Sequence, residues 1–566
     1  MVWKDLNLRP LLFWKKENWF KRNSQKTILL SILLLAFGLR VYKISENPPS
    51  LNWDEVSHGF NAYSILKTGK DEWGIPFPSI FRAYGDFKLP LYIYLTIIPV
   101  WLLGLNPLSV RLISVLSGVS LVLVGFLVAK KITKENRAGL ITAFLIALMP
   151  WGLFLSRVAV EANLGAFLFS LAGYFWLCWS KDKKEKPLIL AFLFFGLSIH
   201  AYNSARVLVP LVFLATIVWV LKSKKVKQLF LPFLLLVIFI TPIIFQMRDD
   251  SAAARFFWVN PIDQGAVNQI NEKRGQSSMP PLLTRLVYNR PTFFVNFALR
   301  NYLKHFSPRF WFIAGGDHYQ FSLPGNPIVF GVLAPFILAG LIKLIKDKKL
   351  FLILWLLISF IPSAITKDSP HVLRIILGLV PMMVTAAIGL SWLEEFFKTN
   401  SKLKGKSLLA IFIFGVLVQF FIWWRNYWLV YRTAYSWSWQ YGYKEVVDYV
   451  KKNYSDYDRI IFTKKYGEPH EFVLFYWPWQ PNFYQQDPKK VWDYHANWYW
   501  VDAFDKFEFW NDWEVVGKTM MLRDQGITDS ILLIALPGTW PKPGELLETI
   551  FSADGGAVFD IVRYRQ

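Results

Sequence analysis

Long apolar runs that alternate with short basic segments constrain this chain more than any other sequence feature. A helix needs about 20 apolar residues to cross the hydrocarbon core, and in lipid it must satisfy its own backbone hydrogen bonds. Composition agrees, since 54% of the residues are hydrophobic and 18% are aromatic. The sequence therefore predicts an α-helical polytopic membrane protein.

We predict eleven spans from these runs, and they lie at residues 27–45, 108–129, 138–156, 163–180, 187–200, 207–221, 229–246, 327–345, 350–365, 371–393 and 407–424. One further apolar stretch, 89–105, is short and contains Pro99. Counting it as a span would move every later basic loop to the other side. It is therefore predicted as an interfacial or re-entrant helix.

The basic loops fix the predicted orientation. Short loops such as "KKITKENR" at 130–137 and "KDKKEK" at 181–186 each carry four basic residues. With eleven spans, all of these loops fall on the side of the basic N-terminus, which the positive-inside rule places in the cytoplasm. Much of the formal net charge of +23 lies in these loops, which argues against nucleic acid as a partner. The predicted location is the plasma (inner) membrane.

The remaining segments complete the predicted organisation. Residues 1–26 mix Trp, Phe and Leu with Lys and Arg, which is typical of a helix on the cytoplasmic membrane surface. Residues 46–107 and 247–326 form outer loops of the transmembrane domain 27–424. Residues 425–566 are predicted to form a small extracytoplasmic α/β domain, with a helix at "YGYKEVVDYVKKNY" and strands at "YDRIIFT", "SILLIALP" and "AVFDIVRYR".

Ionisable and polar residues at the ends of the spans fall on the predicted outer face. Such residues at one membrane boundary indicate a site. The candidates are Asp54, Glu55, Asp86, Lys88, Glu161, His200, Tyr202, Arg206, Asp368, His371 and Arg374. Carboxylates can take a proton from a hydroxyl, and cations can bind a phosphate and stabilise its charge as it leaves. Because nucleotide sugars are not expected outside the cytoplasm, this combination predicts transfer of a sugar carried on a lipid phosphate.

Each candidate also has a structural interpretation. The adjacent carboxylates Asp54 and Glu55 could cap the start of a helix. Lys88 and Arg374 could extend to lipid headgroups.

Glu161 lies one turn after Arg157, at the spacing of a helical salt bridge. His200 suits a structural role as well as a catalytic one. Asp317 and His318 are too few to make a metal site, and a turn is favoured there.

The first outer loop resembles bacterial members of the glycosyltransferase C superfamily. The nearest branch is that of the protein O-mannosyltransferases (dolichyl- or polyprenyl-phosphate-mannose-protein mannosyltransferases), which is related to the lipid A aminoarabinose transferases. The resemblance covers roughly residues 30–425, and the C-terminal region matches only loosely. Its motifs are "DE" at 54–55, "GDFKLPL" at 85–91, "SRVAVEANL" at 156–164 and "DSPHVLR" at 368–374.

This resemblance implies roles for individual residues. Asp54 matches the acidic residue that acts as base or orients the acceptor. Glu55, beside it in the same motif, is predicted to be catalytic with it, and the pair is expected to meet the sugar–phosphate bond. Lys88 matches a basic residue near the donor phosphate, and Arg374 is a further candidate phosphate contact. Glu161 falls where relatives carry an acidic residue. From its residue type alone, Arg206 is a third candidate for the phosphate.

The resemblance also implies inverting transfer of a mannose-like hexose, or a related sugar, from a polyprenyl-phosphate donor. The acceptor is a protein, lipid or glycan, and membrane lipids are further partners. The superfamily varies in metal dependence, so no cofactor is predicted and a divalent metal is left open. Two other functions stay open: a flippase or transporter for lipid-linked sugars, and a receptor or scaffold that acts through its C-terminal domain.

Overall fold

A computed structural model of the chain describes residues 9–85, 87–222, 226–246, 259–400, 405–524 and 529–564. Side chains are described in these ranges except at 9–23, 399–400, 405–406 and 522–524. In the described part, seven helices are long and apolar enough to cross a membrane. The chain is an integral membrane protein.

The helices of the N-terminal part are mostly long and apolar. They are α1 (Arg9–Val41), α2 (Trp53–Thr68), α3 (Pro90–Leu103), α4 (Pro107–Thr133), α5 (Asn136–Leu148), α6 (Pro150–Leu155), α7 (Glu161–Asp182), α8 (Glu185–Ala201), α9 (Asn203–Lys222) and α10 (Phe230–Gln246). A two-stranded hairpin, β1 (Phe81–Arg82) with β2 (Phe87–Lys88), precedes α3.

A second group of helices follows residue 258. It comprises α11 (Gln264–Gly275), α12 (Pro281–Val287), α13 (Arg290–Lys304), α14 (Ala334–Lys346), α15 (Phe351–Ile358), α16 (Ile361–Ala364), α17 (Leu379–Asn400), α18 (Gly405–Asn426) and α19 (Arg432–Ala434). The helix α17 is central, with 83% of its most apolar window buried, whereas only 11% of the window containing α10 is buried. Gly340 of α14 and Gly389 of α17 allow these two helices to approach closely. A Cβ at Gly340 would lie 2.0 Å from the Thr385 carbonyl oxygen, and one at Gly389 would lie 1.8 Å from the Phe336 carbonyl oxygen. Small residues at a helix contact are typical of packing within lipid.

Seven predicted spans correspond to helices that could cross a membrane. The other four correspond to shorter helices or helix pairs, namely α5 with α6, α8, α14, and α15 with α16. The eleven-span count therefore stays a prediction. Predicted span 371–393 begins too early, because the structure places residues 372–375 in turns and starts α17 at Leu379.

The stretch predicted as re-entrant forms the 14-residue helix α3, which continues through Pro99. At 1.5 Å per residue, a helix of this length falls short of the roughly 30 Å hydrocarbon core. Helix α1 is continuous from Arg9 into the first predicted span. The membrane placement of both segments stays a prediction.

The C-terminal region is an α/β unit built on a seven-stranded sheet of order β4-β5-β6-β3-β7-β9-β8. The strands are β3 (Arg459–Thr463), β4 (Val491–His495), β5 (Trp498–Phe504), β6 (Phe507–Trp510), β7 (Ile531–Ala535), β8 (Glu545–Phe551) and β9 (Ala557–Tyr564). Central β3 pairs in parallel with β6 and β7, and the other pairs are antiparallel. The helices are α20 (Tyr443–Lys452), α21 (Pro469–Tyr476), α22 (Pro481–Gln485) and α23 (Asp512–Asp524). The predicted helix and three predicted strands coincide with α20, β3, β7 and β9.

This C-terminal unit packs directly on α2 and on the loop that follows it. Phe475 of α21 belongs to the same buried apolar cluster as Phe60 and Val56 of α2. The backbone N–H of Tyr499 donates to the Tyr84 carbonyl oxygen at 2.8 Å, which joins strand β5 to the first loop. The N-terminal half of α2 is therefore held between the transmembrane helices and the C-terminal sheet.

Candidate functional site

A cavity of about 250 Å³ opens where α2, β2 and the first turns of α7 and α9 converge with the loops that precede α17. Its lining is rich in charged and polar side chains. The residues that line it are Asn52, Asp54, His58, Phe87, Lys88, Leu89, Ala159, Val160, Glu161, Ala201, Tyr202, Asn203, His318, Phe321, Asp368, His371, Leu373 and Arg374.

Asp54 reaches the cavity from the first turn of α2. The helix begins there because Asn52 and Glu55 form a capping box, in which Asn52 accepts from the Glu55 N–H and Glu55 accepts from the Asn52 N–H. The β1–β2 hairpin carries Lys88 to the opposite wall, where its ammonium group pairs with the Asp54 carboxylate. The Asp54 side chain is 38% exposed and Lys88 only 12%, so this pair lies at the open side of the cavity.

Glu161 and His58 form a second pair deeper in the site. The imidazole Nε2 of His58 lies 3.2 Å from Glu161 Oε1, and the Glu161 side chain is 21% exposed. Lys88 is close enough to act electrostatically on Glu161 as well. In the part of the chain that the structure describes, His58 Nδ1 is buried and has no hydrogen-bond partner. The Lys88 ammonium group thus serves both Asp54 and Glu161.

Arg374 supplies the second cation from the loop before α17. Its Nη1 donates to Thr366 Oγ1 at 2.6 Å and to the Asp368 carbonyl oxygen at 3.2 Å, while Nη2 lies 3.5 Å from Asp368 Oδ2. The Asp368 side chain is 78% exposed, so this ion pair is weakly held and solvent reaches it. An anion that enters the cavity can replace Asp368 on the guanidinium.

His318 and Phe321 complete one wall, and their rings stack with centroids 4.3 Å apart. Burial lowers the pKa of His318 below its ordinary value, so this imidazole is neutral at pH 7. A plain turn is the sequence-based expectation at His318, because only Asp317 accompanies it as a possible metal ligand. His58 was also missing from the candidates, although its spacing of four residues from Asp54 puts both on one helix face.

Glu55 does not line the cavity. It is fully buried and makes a two-point ion pair with Arg111, whose Nε and Nη2 donate to Oε1 and Oε2 at 2.8 Å each. Its Oε1 also accepts from the Ala159 N–H at 2.7 Å, which fixes the turn just before Glu161. The expectation that Glu55 meets the sugar–phosphate bond beside Asp54 is wrong, because successive helical residues point in different directions. Its capping role, the structural interpretation, is the one observed.

Three further expectations change. Arg206 Nε donates to the Ile199 carbonyl oxygen at 3.0 Å, and His200 Nε2 contacts the Phe239 carbonyl oxygen at 2.8 Å, both away from the cavity. Arg157 does not pair with Glu161. It donates instead to the backbone carbonyl oxygens of Leu39, Arg40, Tyr42, Lys43 and Asn47.

Of the remaining candidate residues, three line the cavity and one cannot be placed. Tyr202, Asp368 and His371 line the cavity together with Asp54, Lys88, Glu161 and Arg374. Asp86 lies outside the described residues. A site with carboxylates beside two cations can bind an anionic group and accept a proton from a second molecule.

Residues 88–245, which include Lys88 and Glu161, match the family model described as dolichyl-phosphate-mannose-protein mannosyltransferase. No curated protein shows significant sequence similarity to the chain. The fold is similar to that of ArnT from Cupriavidus metallidurans bound to undecaprenyl phosphate, with a TM-score of 0.51 and 12% identity over 95% of this chain and 97% of that one.

The fold is also similar to the archaeal oligosaccharyltransferase AglB from Archaeoglobus fulgidus, solved with an inhibitory peptide and a dolichol-phosphate. That likeness has a TM-score of 0.52 and 14% identity, and it covers 81% of this chain. The chain spans 64% of the archaeal protein, which is less than two thirds of its length. These similarities confirm the glycosyltransferase C fold expected from the sequence.

Proposed function

We propose that this chain, which has the glycosyltransferase C fold, moves a sugar from a polyprenyl-phosphate donor to an acceptor hydroxyl. The observation that carries the proposal is the cavity itself, where Asp54 and Glu161 face Lys88 and Arg374 at the ends of membrane helices. The solved structures with this fold contain undecaprenyl phosphate and a dolichol-phosphate, which supports a lipid phosphate as the donor.

The donor phosphate binds between Lys88 and Arg374 in this proposal. Helices α7 and α9 both begin at the cavity, and further along they line an apolar groove of about 490 Å³. Phe169 and Trp176 of α7 and Leu211 of α9 contribute to that groove. A polyprenyl chain that starts at the cavity can follow the two helices into it, with its phosphate held at the polar end.

The reaction is a single displacement at the anomeric carbon. The acceptor hydroxyl gives its proton to the Asp54 carboxylate as its oxygen attacks the anomeric carbon. The bond between that carbon and the phosphate oxygen breaks, and the polyprenyl phosphate leaves with the electron pair. Lys88 and Arg374 stabilise the charge that develops on the phosphate. Attack opposite the leaving group inverts the anomeric centre.

The proposal also covers the role of Glu161, the side of the membrane, the sugar and the C-terminal unit. Glu161, held by His58, orients the acceptor or the sugar beside Asp54. The site opens on the extracytoplasmic face, opposite the basic loops, and the N-terminus is cytoplasmic. The sugar is a mannose-like hexose or a related sugar, and the C-terminal α/β unit forms part of the surface that the acceptor meets.

The test is transfer by purified protein from a synthetic polyprenyl-phosphate mannose, with phosphate-linked glucose and aminoarabinose donors in parallel. Product is detected by mass spectrometry as polyprenyl phosphate released and sugar joined to an acceptor. Asp54→Asn is expected to lower turnover about 100- to 10,000-fold, the usual contribution of a positioned base. The matched control is Asp182→Asn, a change at the surface ion pair with Lys131.

Two results would contradict the proposal. Full turnover by Asp54→Asn would remove this carboxylate from the chemistry. Movement of labelled donor across proteoliposomes without any covalent product, for every donor tested, would favour a flippase.

A further inference from the structure

A second cluster of ionisable side chains lies where the C-terminal unit meets the first loop. Glu72 comes from the loop after α2, while His470 and Glu471 come from the first turn of α21, nearly 400 residues later in the chain. One ligand atom from each residue lies within 4.8 Å of the other two. None of the three lines the cavity described above.

These side chains are buried, with exposed fractions of 1% for Glu72, 2% for His470 and 1% for Glu471. Among the described residues, Oε2 of each glutamate and Nδ1 of His470 have no hydrogen-bond partner. His470 Nδ1 also lies 3.4 Å from Oε2 of the buried Glu468. Burying a carboxylate without a partner costs several kcal/mol, so buried charges in proteins are usually paired or coordinate a metal. Two buried carboxylates and a buried imidazole whose ligand atoms lie this close together therefore suit a cation.

The remaining oxygens of the cluster are already held by protein groups. Asn61 Nδ2 donates to Glu72 Oε1 at 3.0 Å, and its Oδ1 accepts from the Glu72 N–H at 3.1 Å. The Ser57 hydroxyl contacts the Glu471 carboxyl. Such outer contacts orient metal ligands in known sites. They leave Oε2 of each glutamate outside these contacts.

The charges near the cluster suit a divalent ion. The two carboxylates carry two negative charges when both are ionised, and a divalent ion would neutralise both at once. Neutral imidazole is the form that binds metals. The ammonium of the neighbouring Lys490 lies 3.9 Å from the centre of the Tyr484 ring and 3.4 Å from the Glu72 carbonyl oxygen, and its charge acts on Glu72.

We propose that Glu72, His470 and Glu471 bind one divalent transition-metal ion, with zinc as the best match to their donor set. One imidazole and two carboxylates are common zinc ligands, and the short spacing of the ligand atoms fits a single ion. The ion would join the loop after α2 to helix α21. It would thereby fix the C-terminal unit on the helix that carries Asp54, and this role is independent of the reaction proposed above.

The experiment measures metal in full-length protein purified without chelators or a polyhistidine tag. Plasma mass spectrometry should find about one equivalent of zinc per chain, and Glu72→Gln and His470→Ala should each lower it at least tenfold. The matched control is His495→Ala, an exposed histidine of the same sheet, which should keep its metal. If the variants do not fold, wild-type protein stripped with a chelator is titrated with ZnCl2 and, separately, MnCl2.

Rebinding should raise the unfolding temperature of the stripped protein, as expected when a ligand binds only the folded state. It should also protect the junction between residues 425 and 470 from proteolysis. CoCl2 in place of zinc should give a visible absorption band that Glu72→Gln removes. Wild-type protein that neither carries nor takes up zinc, manganese or cobalt would overturn the proposal and leave a proton shared by the two glutamates.

Discussion

Replacing Glu55 by glutamine removes a negative charge from the protein interior and leaves the Arg111 guanidinium beside a neutral amide. In the native structure each carboxylate oxygen of Glu55 accepts two hydrogen bonds. Oε1 accepts from Arg111 Nε and the Ala159 N–H, and Oε2 accepts from Arg111 Nη2 and the Asn52 N–H. A glutamine side chain has only one acceptor oxygen. Its NH2 group would face two of these four donors without a bond.

The expected loss follows from this count. Both Glu55 and Arg111 have no exposed surface, so water cannot replace the missing acceptor. Removing one partner of a buried ion pair usually costs about 3–5 kcal/mol, because the other charge stays buried and uncompensated. This is a large part of the roughly 5–15 kcal/mol that stabilises a typical domain. Glu55→Gln should therefore lower the free energy of unfolding by about 3–5 kcal/mol.

Titration with SDS in mixed micelles, followed by tryptophan fluorescence, measures this difference. Asp448→Asn is the matched control, since it breaks the exposed pair with Lys444 and should cost about 0.3–0.5 kcal/mol. The double variant Glu55→Gln/Arg111→Met should be less destabilised than the sum of its single variants, because the two changes remove the same ion pair. If Glu55→Gln unfolds within about 1 kcal/mol of the wild type but abolishes sugar transfer, Glu55 acts in the chemistry and the structural reasoning is refuted.

Two further predictions concern the packing of the C-terminal unit and the binding of the donor. Gly467→Ala should destabilise the protein by about 1–3 kcal/mol more than Gly538→Ala in the same titration. Both glycines have positive φ, but only at Gly467 would the new Cβ meet another side chain, 2.1 Å from the Trp53 ring. Equal losses would show that backbone strain alone matters. Arg374→Gln should lower kcat/KM for the lipid donor about 10- to 150-fold, which corresponds to the loss of a charged hydrogen bond of about 1.5–3 kcal/mol. Arg206→Gln should leave kcat/KM unchanged. The opposite ranking would restore the sequence-based assignment of Arg206.

The features that the sequence predicted well are those set by local pattern. Periodicity was enough for strands β3, β7 and β9, because each is a short β-branched or aliphatic run bounded by polar residues. It was less reliable for the start of α17. Residues 372–377, apolar except for Arg374, read as a continuation of this helix but lie in turns and a 3₁₀ segment. Apolar character fixes burial, and it does not distinguish a helix from a tightly packed turn.

The candidate site was harder to predict because side-chain direction decides its membership. Asp54 and Glu55 are adjacent in sequence, yet a helix turns by about 100° per residue, so one faces the cavity and the other faces Arg111. His58 lies four residues after Asp54 and returns to the same face. The helix start was recognisable from the sequence, and combining it with helical periodicity would have separated Glu55 from the site and added His58 to it.

Contacts between distant parts of the chain explain the rest. His318 reaches the cavity from a loop that has no local pattern, and Glu72 meets His470 only because the C-terminal unit folds back on the first loop. The same unit presses Gly467 against Trp53, the first residue of α2, immediately before Asp54. The position of the carboxylate that we place in the chemistry thus depends on a domain that contributes no residue to the cavity lining in the described part of the chain. Disturbing this contact should therefore affect sugar transfer through the position of α2, even where the cavity residues themselves are intact.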